Sequence, residues 1–427
     1  MAPFPCTCSL CYVVAAFLLM LPAEASGEAL LAGANTKGGM IRGARIIHVT
    51  TLDDVGPGSL REALTETGPR LVVFDVAGTI ELQSDLVVRE PFLTVAGQTA
   101  PDTGVTLYGA SLRLRSHDVV VQHIAVRPGS SDSTKINDNR DAISLDGRGV
   151  RSDGKDVSRD IVLDHISASW SVDETISLWY GTTRDVTISN SIIGEALRNA
   201  GHPKDDHSMG LLVGPDIAGV DIHANMLVSN AFRNPAISQG ASIYFANNYI
   251  FNPGHNGVHF YNRKTQDITR MTIVSNLFER GLDTSRTMAA LTLQRAPQPD
   301  LMDVFVANNA GERDFSVRGD LWFRNDFPTR SAPVLPKNYE PRSVADLKDH
   351  ILRQSGMLPK RRNAVDSALL ERIKERTEKI IDHPPSSDLE LLAQPPVYVR
   401  ASVPDDLHHL HDEEDVDQVS RWLKDRE

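Results

Sequence analysis

The sequence predicts an all-β chain wound as a right-handed parallel β-helix, with a short N-terminal capping helix and C-terminal helices packed on the coil. Three observations predict it. Short β-branched runs of one style recur between about residues 90 and 310, among them Val119–His123, Ile161–His165, Val186–Asn190, Ile243–Asn247 and Val304–Asn308. The fifth residue of each run falls at 97, 123, 165, 190, 224, 247, 275 and 308, so the steps are 26, 42, 25, 34, 23, 28 and 33 residues. A base period near 23 to 28 with insertions is the mark of a solenoid, in which each repeat buries its apolar face against its neighbours. Finally, Asn190, Asn225, Asn247, Asn248, Asn276, Asn308 and Asn309 recur near one phase of the repeat. Asparagine there can bend the chain and stack in a ladder. The runs alternate with period two, and the stretches between them are Gly, Asn and Asp clusters without helical periodicity, so the repeats are strands.

The elements follow in order. Residues 1–26 read as an export signal: an apolar run from Cys11 to Leu21, too short to span a bilayer, precedes Ala23-Glu-Ala25. Its removal would take all three cysteines, Cys6, Cys8 and Cys11, so the body has no disulfide framework and no cysteine-bound zinc. Localisation is then expected to be secreted or periplasmic. Residues 27–335 form the β-helix. Ser59-Leu-Arg-Glu62 is a capping box that opens a short helix through Leu64 over the open sheet edge. In the helical extension, residues 336–400, Ser343 starts a helix with Val344, Leu347 and Ile351 on one face and Gly356 as its stop. A second helix is expected from about Asp366 to Ile381, with Leu369, Ile373 and Ile380 as its stripe. Pro384-Pro385 marks a linker. The tail, 401–427, is acidic and expected to be loosely ordered around one further helix containing Val416, Val419 and Leu423. His408, His409 and His411 read there as a solvated face.

The chain has 427 residues, 41% hydrophobic and 23% charged, with a formal charge of -12. This is a globular balance without the basic stripe that nucleic acid requires. Any acidic ligand must be recognised locally. Two near copies indicate where. Asp141-Ala-Ile-Ser-Leu145 and Glu174-Thr-Ile-Ser-Leu178 each open a strand one coil apart, and counting along the repeat places Ser208 and Arg233 in the same column. Asp141 and Glu174 would lie about 4.8 Å apart, the strand spacing. Two like charges at that distance need a proton or a cation between them, and all-oxygen donors suit a hard ion such as Ca²⁺. Asp173 alternates away from Glu174 within a strand but can reach the ion at the strand start, and Asp138 and Asn139 are further oxygen donors. The long coil between 190 and 224 inserts Gly201–Gly210, which would carry His202, Lys204 and His207 towards a ligand. The two histidines could alternatively ligate a transition metal. Arg233 would present a cation able to grip a carboxylate. Trp170 is read as core.

These residues resemble the pectate lyase superfamily, specifically the family-one polysaccharide lyases. The resemblance covers roughly residues 35–310. It is carried by Gly56–Leu64, Phe74–Ile80 and Val95–Thr99, which many exported β-helix proteins share. Asp141-Ala-Ile143, Leu163-Asp-His165 and Arg233-Asn-Pro235 are more specific. The resemblance implies calcium-dependent β-elimination on polygalacturonate, with Asp141 and Glu174 as calcium ligands and Arg233 as the base; the chain is expected to be a monomer. It departs from the family's pattern at Leu178, where a third calcium ligand belongs, at Ser238 in place of a second arginine, and at the missing lysine near Ser208. Lys204 or His207 would stand in for that lysine. Two other readings fit the scaffold: a non-catalytic carbohydrate-binding β-helix, and an enzyme for another acidic polysaccharide.

Overall fold

The computed structural model describes residues 36–148, 157–261, 268–293, 302–311, 341–404 and 407–427. The export segment with its three cysteines, and most of the junction between the β-helix and the helical extension, lie outside the described residues. The described body is a right-handed parallel β-helix. One sheet of ten parallel strands runs from Arg45–Val49 to Met302–Ala307. A second sheet of eight runs from Leu86–Val88 to Leu291–Leu293. A third starts at Val76–Glu81, ends at Ala310–Gly311, and gains an antiparallel partner in Val397–Tyr398. Successive inner coils contribute one strand to each sheet, and within a strand inward aliphatic residues alternate with outward ones. Ile161, Leu163, Val186, Ile188, Val220 and Ile222 meet Ile143, Ile176, Leu178 and Ile193 in one continuous core. Each such side chain contributes about 1.5–3 kcal/mol through removal from water.

The predicted asparagine phase is two columns. His123, His165, Asn190, Ala224, Asn247, Ser275 and Asn308 take φ between +49° and +56° at the corner after the first sheet. This left-handed bend favours asparagine, whose short side chain can bond locally. The residue after it forms the ladder. The Nδ2 of Asn225 donates to Asn248 Oδ1 (3.1 Å), that of Asn248 to Asn276 Oδ1 (3.0 Å), and that of Asn276 to Asn309 Oδ1 (2.8 Å).

Helix α1 (Leu60–Thr65) covers the N-terminal end with Leu60, Ala63 and Leu64. Ser59 Oγ accepts from the Glu62 backbone N–H, while Glu62 reaches the amide of Gly58 rather than that of Ser59. Helix α2 (Thr134–Asn137) is a single turn in the loop before Asp141. After a 3₁₀ turn at Val344–Asp346, α3 (Leu347–Gln354) buries Leu347 and Ile351, and Gly356 follows with φ +86°. Helix α4 (Ala364–Lys374) starts at the cap Asn363 and stops well before Ile381. There the chain turns so that Glu378 meets Arg372, and Pro385 leads straight into α5 (Ser386–Leu392).

The tail departs from the expectation of loose order. Helix α6 (Glu413–Lys424) buries Val416, Val419, Trp422 and Leu423 against Ala44, Ile46, Leu71 and Val73. The strand before it pairs with the first strand of the coil: Gly43 N donates to Leu410 O (2.6 Å), Leu410 N to Ala44 O (2.8 Å) and Ile46 N to His408 O (2.9 Å). Among the described residues, no helix is long and apolar enough to cross a membrane.

Candidate functional site

The site is built on the outer face of the eight-stranded sheet. Ile143 pairs with Ile176, which sets Asp141 beside Glu174 at the mouths of adjacent strands. On the next rung Glu174 pairs with Met209, not Ser208. Ser208 is a buried left-handed residue (φ +68°) whose Oγ accepts from the amide of Ala231, and this turn consumes the residue that simple counting put in the column. One coil further, Leu212 pairs with Ala236 and Met209 bridges to Phe232, which brings Arg233 over Met209 towards Glu174. Asp141, Asp173, Glu174, Lys204 and Arg233 then line one groove of about 670 Å³.

Asp141 is the most constrained of these groups. One carboxylate oxygen accepts from the Glu174 amide (3.0 Å), and the other from the hydroxyls of Ser177 (2.6 Å) and Ser144. Burial, then the nearby charge of Asp173, pushes its carboxyl up to about 7. The ligating oxygens of Asp141, Asp173 and Glu174 all lie within 4.8 Å of one another. Arg233 forms an ion pair with Glu174. Three convergent carboxylates, one of them buried and resisting ionisation, crowd like charge into one part of the groove, with the Arg233 guanidinium paired to Glu174. The donor set therefore fits a hard, oxygen-preferring ion. Leu178, where the resemblance calls for another ligand, faces the core and is fully buried, and Ser238 is likewise buried. Asp173 supplies the third carboxylate instead.

The inserted loop behaves differently from expectation. Lys204 lines the groove, 3.6 Å from Asp138. His202 and His207 do not. They stack on each other beneath the loop, ring centroids 3.6 Å apart, with His207 Nε2 2.9 Å from Asp173 Oδ1. They are therefore supports for Asp173, not groups presented to a ligand. Asp173, His202 and His207 are close enough to share an ion. However, His202 Nδ1 accepts from the Lys204 amide (3.1 Å), which puts the neutral ring's proton on Nε2, the nitrogen that faces the carboxylates.

Residues that sequence reasoning passed over complete the groove. Arg113 and Arg115 alternate outward one rung below Asp141, with Arg113 opposite Ser144. Arg113 is paired with Asp85 (2.5 Å) and Asp146 (3.2 Å), and Arg115 with Asp146 (2.6 Å). The Leu112-Arg-Leu-Arg115 alternation held this signal, though alternation alone cannot tell a groove from a solvated face. Trp179 and Leu212 add apolar surface to the wall. Trp170 is fully buried, as expected.

The fold and site together define a class, right-handed parallel β-helices that carry a carboxylate cluster and a facing arginine on an outer sheet. Known proteins narrow that class. The chain is 36% identical over 256 residues to a probable pectate lyase C of Aspergillus oryzae, an alignment spanning 60% of this chain and 54% of that protein. It is 37% identical over 248 residues to a probable pectate lyase C of Emericella nidulans (56% and 52%) and 27% identical over 238 residues to a putative pectate lyase 21 of Arabidopsis thaliana (50% and 56%). The chain spans about half the length of the curated relatives it matches. Among solved structures, the cedar pollen allergen jun a 1 superposes with a TM-score of 0.58 at 17% identity, covering 77% of this chain and 93% of that one. A Bacillus subtilis pectate lyase superposes at 0.55 and 12% identity (78% and 97%). No family model matches the sequence. The resemblance to the pectate lyase superfamily thus holds in sequence over about 60% of the chain and in fold over 77% of it.

Proposed function

We propose that the chain is an exported polysaccharide lyase that cleaves pectate by calcium-assisted β-elimination and acts as a monomer. The observation that carries this reading is the convergence of Asp141, Asp173 and Glu174 with Arg233 in one groove, on a scaffold whose curated relatives are named pectate lyases. Calcium held by the three carboxylates would neutralise a uronate carboxylate and acidify the proton on the neighbouring carbon.

The chain's own groups have separable tasks. Ser144, Ser177 and the Glu174 amide hold the Asp141 carboxylate in place and stabilise its charged form. His207 orients Asp173. Arg233 is the candidate base. A guanidinium has a pKa above 12 and is ordinarily a cation, so it must shed its proton and leave Glu174 before it can accept one. As a cation it would instead stabilise the carbanion. Lys204, and Arg113 once released from its carboxylates, are placed to receive the acidic groups of flanking sugars.

The test is incubation with polygalacturonate in calcium or in EDTA, following ultraviolet absorbance of the unsaturated product. Calcium-dependent absorbance is expected. New reducing ends without absorbance would indicate a hydrolase, and binding without turnover a carbohydrate-binding module.

A further inference from the structure

A second cluster of metal-ligating side chains belongs to the ten-stranded sheet rather than to the groove. Strands His117–Gln122 and Arg159–Asp164 pair with Gln122 opposite Asp164, so the next residues, His123 and His165, meet at the corner on consecutive coils. Both are in the left-handed bend, and their rings stack at 4.6 Å with an interplanar angle of 15°.

The chemistry of the two rings differs. His165 Nδ1 lies 2.7 Å from Asp164 Oδ2, and the other Asp164 oxygen accepts from Ser189 Oγ (2.6 Å) and Asn190 Nδ2 (2.8 Å). With donors on both oxygens, the Asp164 carboxylate acts as an acceptor. The proton of His165 therefore sits on Nδ1, and Nε2 offers its lone pair. His123 is fully buried, and neither of its ring nitrogens has a hydrogen-bond partner. As a neutral imidazole it therefore carries a lone pair that no donor occupies. A carboxylate that fixes the tautomer of an imidazole through its far nitrogen is the usual support of a histidine metal ligand. One ligand atom from each of His123, Asp164 and His165 lies within 4.8 Å of the others.

We propose that His123 and His165, backed by Asp164, bind one divalent first-row transition ion of the Zn²⁺ or Co²⁺ type. Two neutral imidazoles and no thiolate suit this borderline class. Closing on the ion would tilt the two rings out of their stack, which breaks no hydrogen bond at His123, whose ring nitrogens have no partner. Arg361 is the cation that faces His123, and its guanidinium is committed to the carbonyls of Gln98 and Asp102. The histidine cluster under the inserted loop lacks this arrangement, because there the proton occupies the nitrogen that faces the carboxylates.

The probe is Co²⁺, titrated into the EDTA-stripped full chain with excess Ca²⁺ present to occupy the acidic groove, and read by its visible absorption. One equivalent is expected to bind. The signal should vanish in His123→Ala and His165→Ala, weaken about 10–100-fold in Asp164→Asn, and persist in Asp141→Asn. If an alanine variant does not fold by circular dichroism, His165→Gln keeps a polar ring-sized group at the bend and takes its place. No Co²⁺ binding by the native chain, undiminished binding in the His165 variants, or loss of binding in His202→Ala or His409→Ala would overturn the proposal. Because the readout is binding of Co²⁺ and not turnover, the outcome is independent of whether the chain is a lyase.

Discussion

Asp141 combines full burial with three hydrogen bonds, and these act in opposite directions. Burial raises the cost of its charge, while the two serines and the Glu174 amide lower it. Losing the charge in Asp141→Asn is expected to weaken calcium binding at least tenfold to hundredfold, measured by calorimetry, since hydrogen bonds and contacts to a charged group are worth about 1.5–3 kcal/mol. Arg233→Ala is expected to lower kcat about 10²–10⁴-fold with little change in calcium affinity, the range for loss of a proton-transfer group. Full activity in that variant would remove Arg233 from the mechanism. Asp141 and Glu174 were legible in the sequence because their five-residue segments nearly repeat. Ser208 was misplaced because a left-handed turn absorbs one residue, which no count of spacings reveals. Ser144 and Ser177 lie inside the repeated segments but were not singled out, since a serine shows its role only when its acceptor is known.

At the level of elements, the corner ladder and the tail helix lend themselves to separate tests. In Asn248→Ala, Asn225 and Asn276 each lose a buried partner, and a loss of roughly 1–3 kcal/mol in urea unfolding is expected. Trp422→Ala removes the largest side chain that α6 places on the first strands and should cost about 3 kcal/mol or more, unless the site collapses. The strands were readable because inward and outward residues alternate at every coil. Helix α4 was drawn too long because its apolar stripe continues to Ile380, whereas the turn that ends it is set by Arg372 reaching Glu378, a contact invisible to periodicity. The tail was misjudged for a related reason. Val416, Val419 and Leu423 were read as a helix, but the acidic residues around them gave no sign that this stripe, with Trp422, docks on the first strands.

Across the whole molecule, the helical extension is tied to the coil by a buried cluster in which Glu195, Glu378 and Asp388 surround Arg372. Trp170 Nε1 also donates to Glu195 (3.3 Å). Burial, then the charge of Glu378, pushes Glu195 up to about 8. The folded state therefore binds this proton more tightly than the unfolded chain, whose glutamate titrates near 4.5. Stability should be greatest below that value and decline as pH rises towards 8, by up to about 1 kcal/mol per pH unit. Thermal melts across this window should show the decline, and Glu195→Gln should flatten it. A melting temperature independent of pH in the native chain would contradict the cluster's protonation.

The pairing of Leu410 with Ala44 has a temporal consequence. Roughly 366 residues separate the two, so the first strand of the coil is synthesised long before the segment that seals it. Throughout that interval its amide and carbonyl groups form an open template to which any extended chain could add. The hazard is greatest for a nascent or partly refolded molecule, because a parallel solenoid grows from contacts between coils and can be well formed while this end is still bare. Supplying residues 401–427 as a separate peptide during refolding should therefore suppress aggregation of a chain truncated at residue 400, and the same peptide with Leu410→Asp should not.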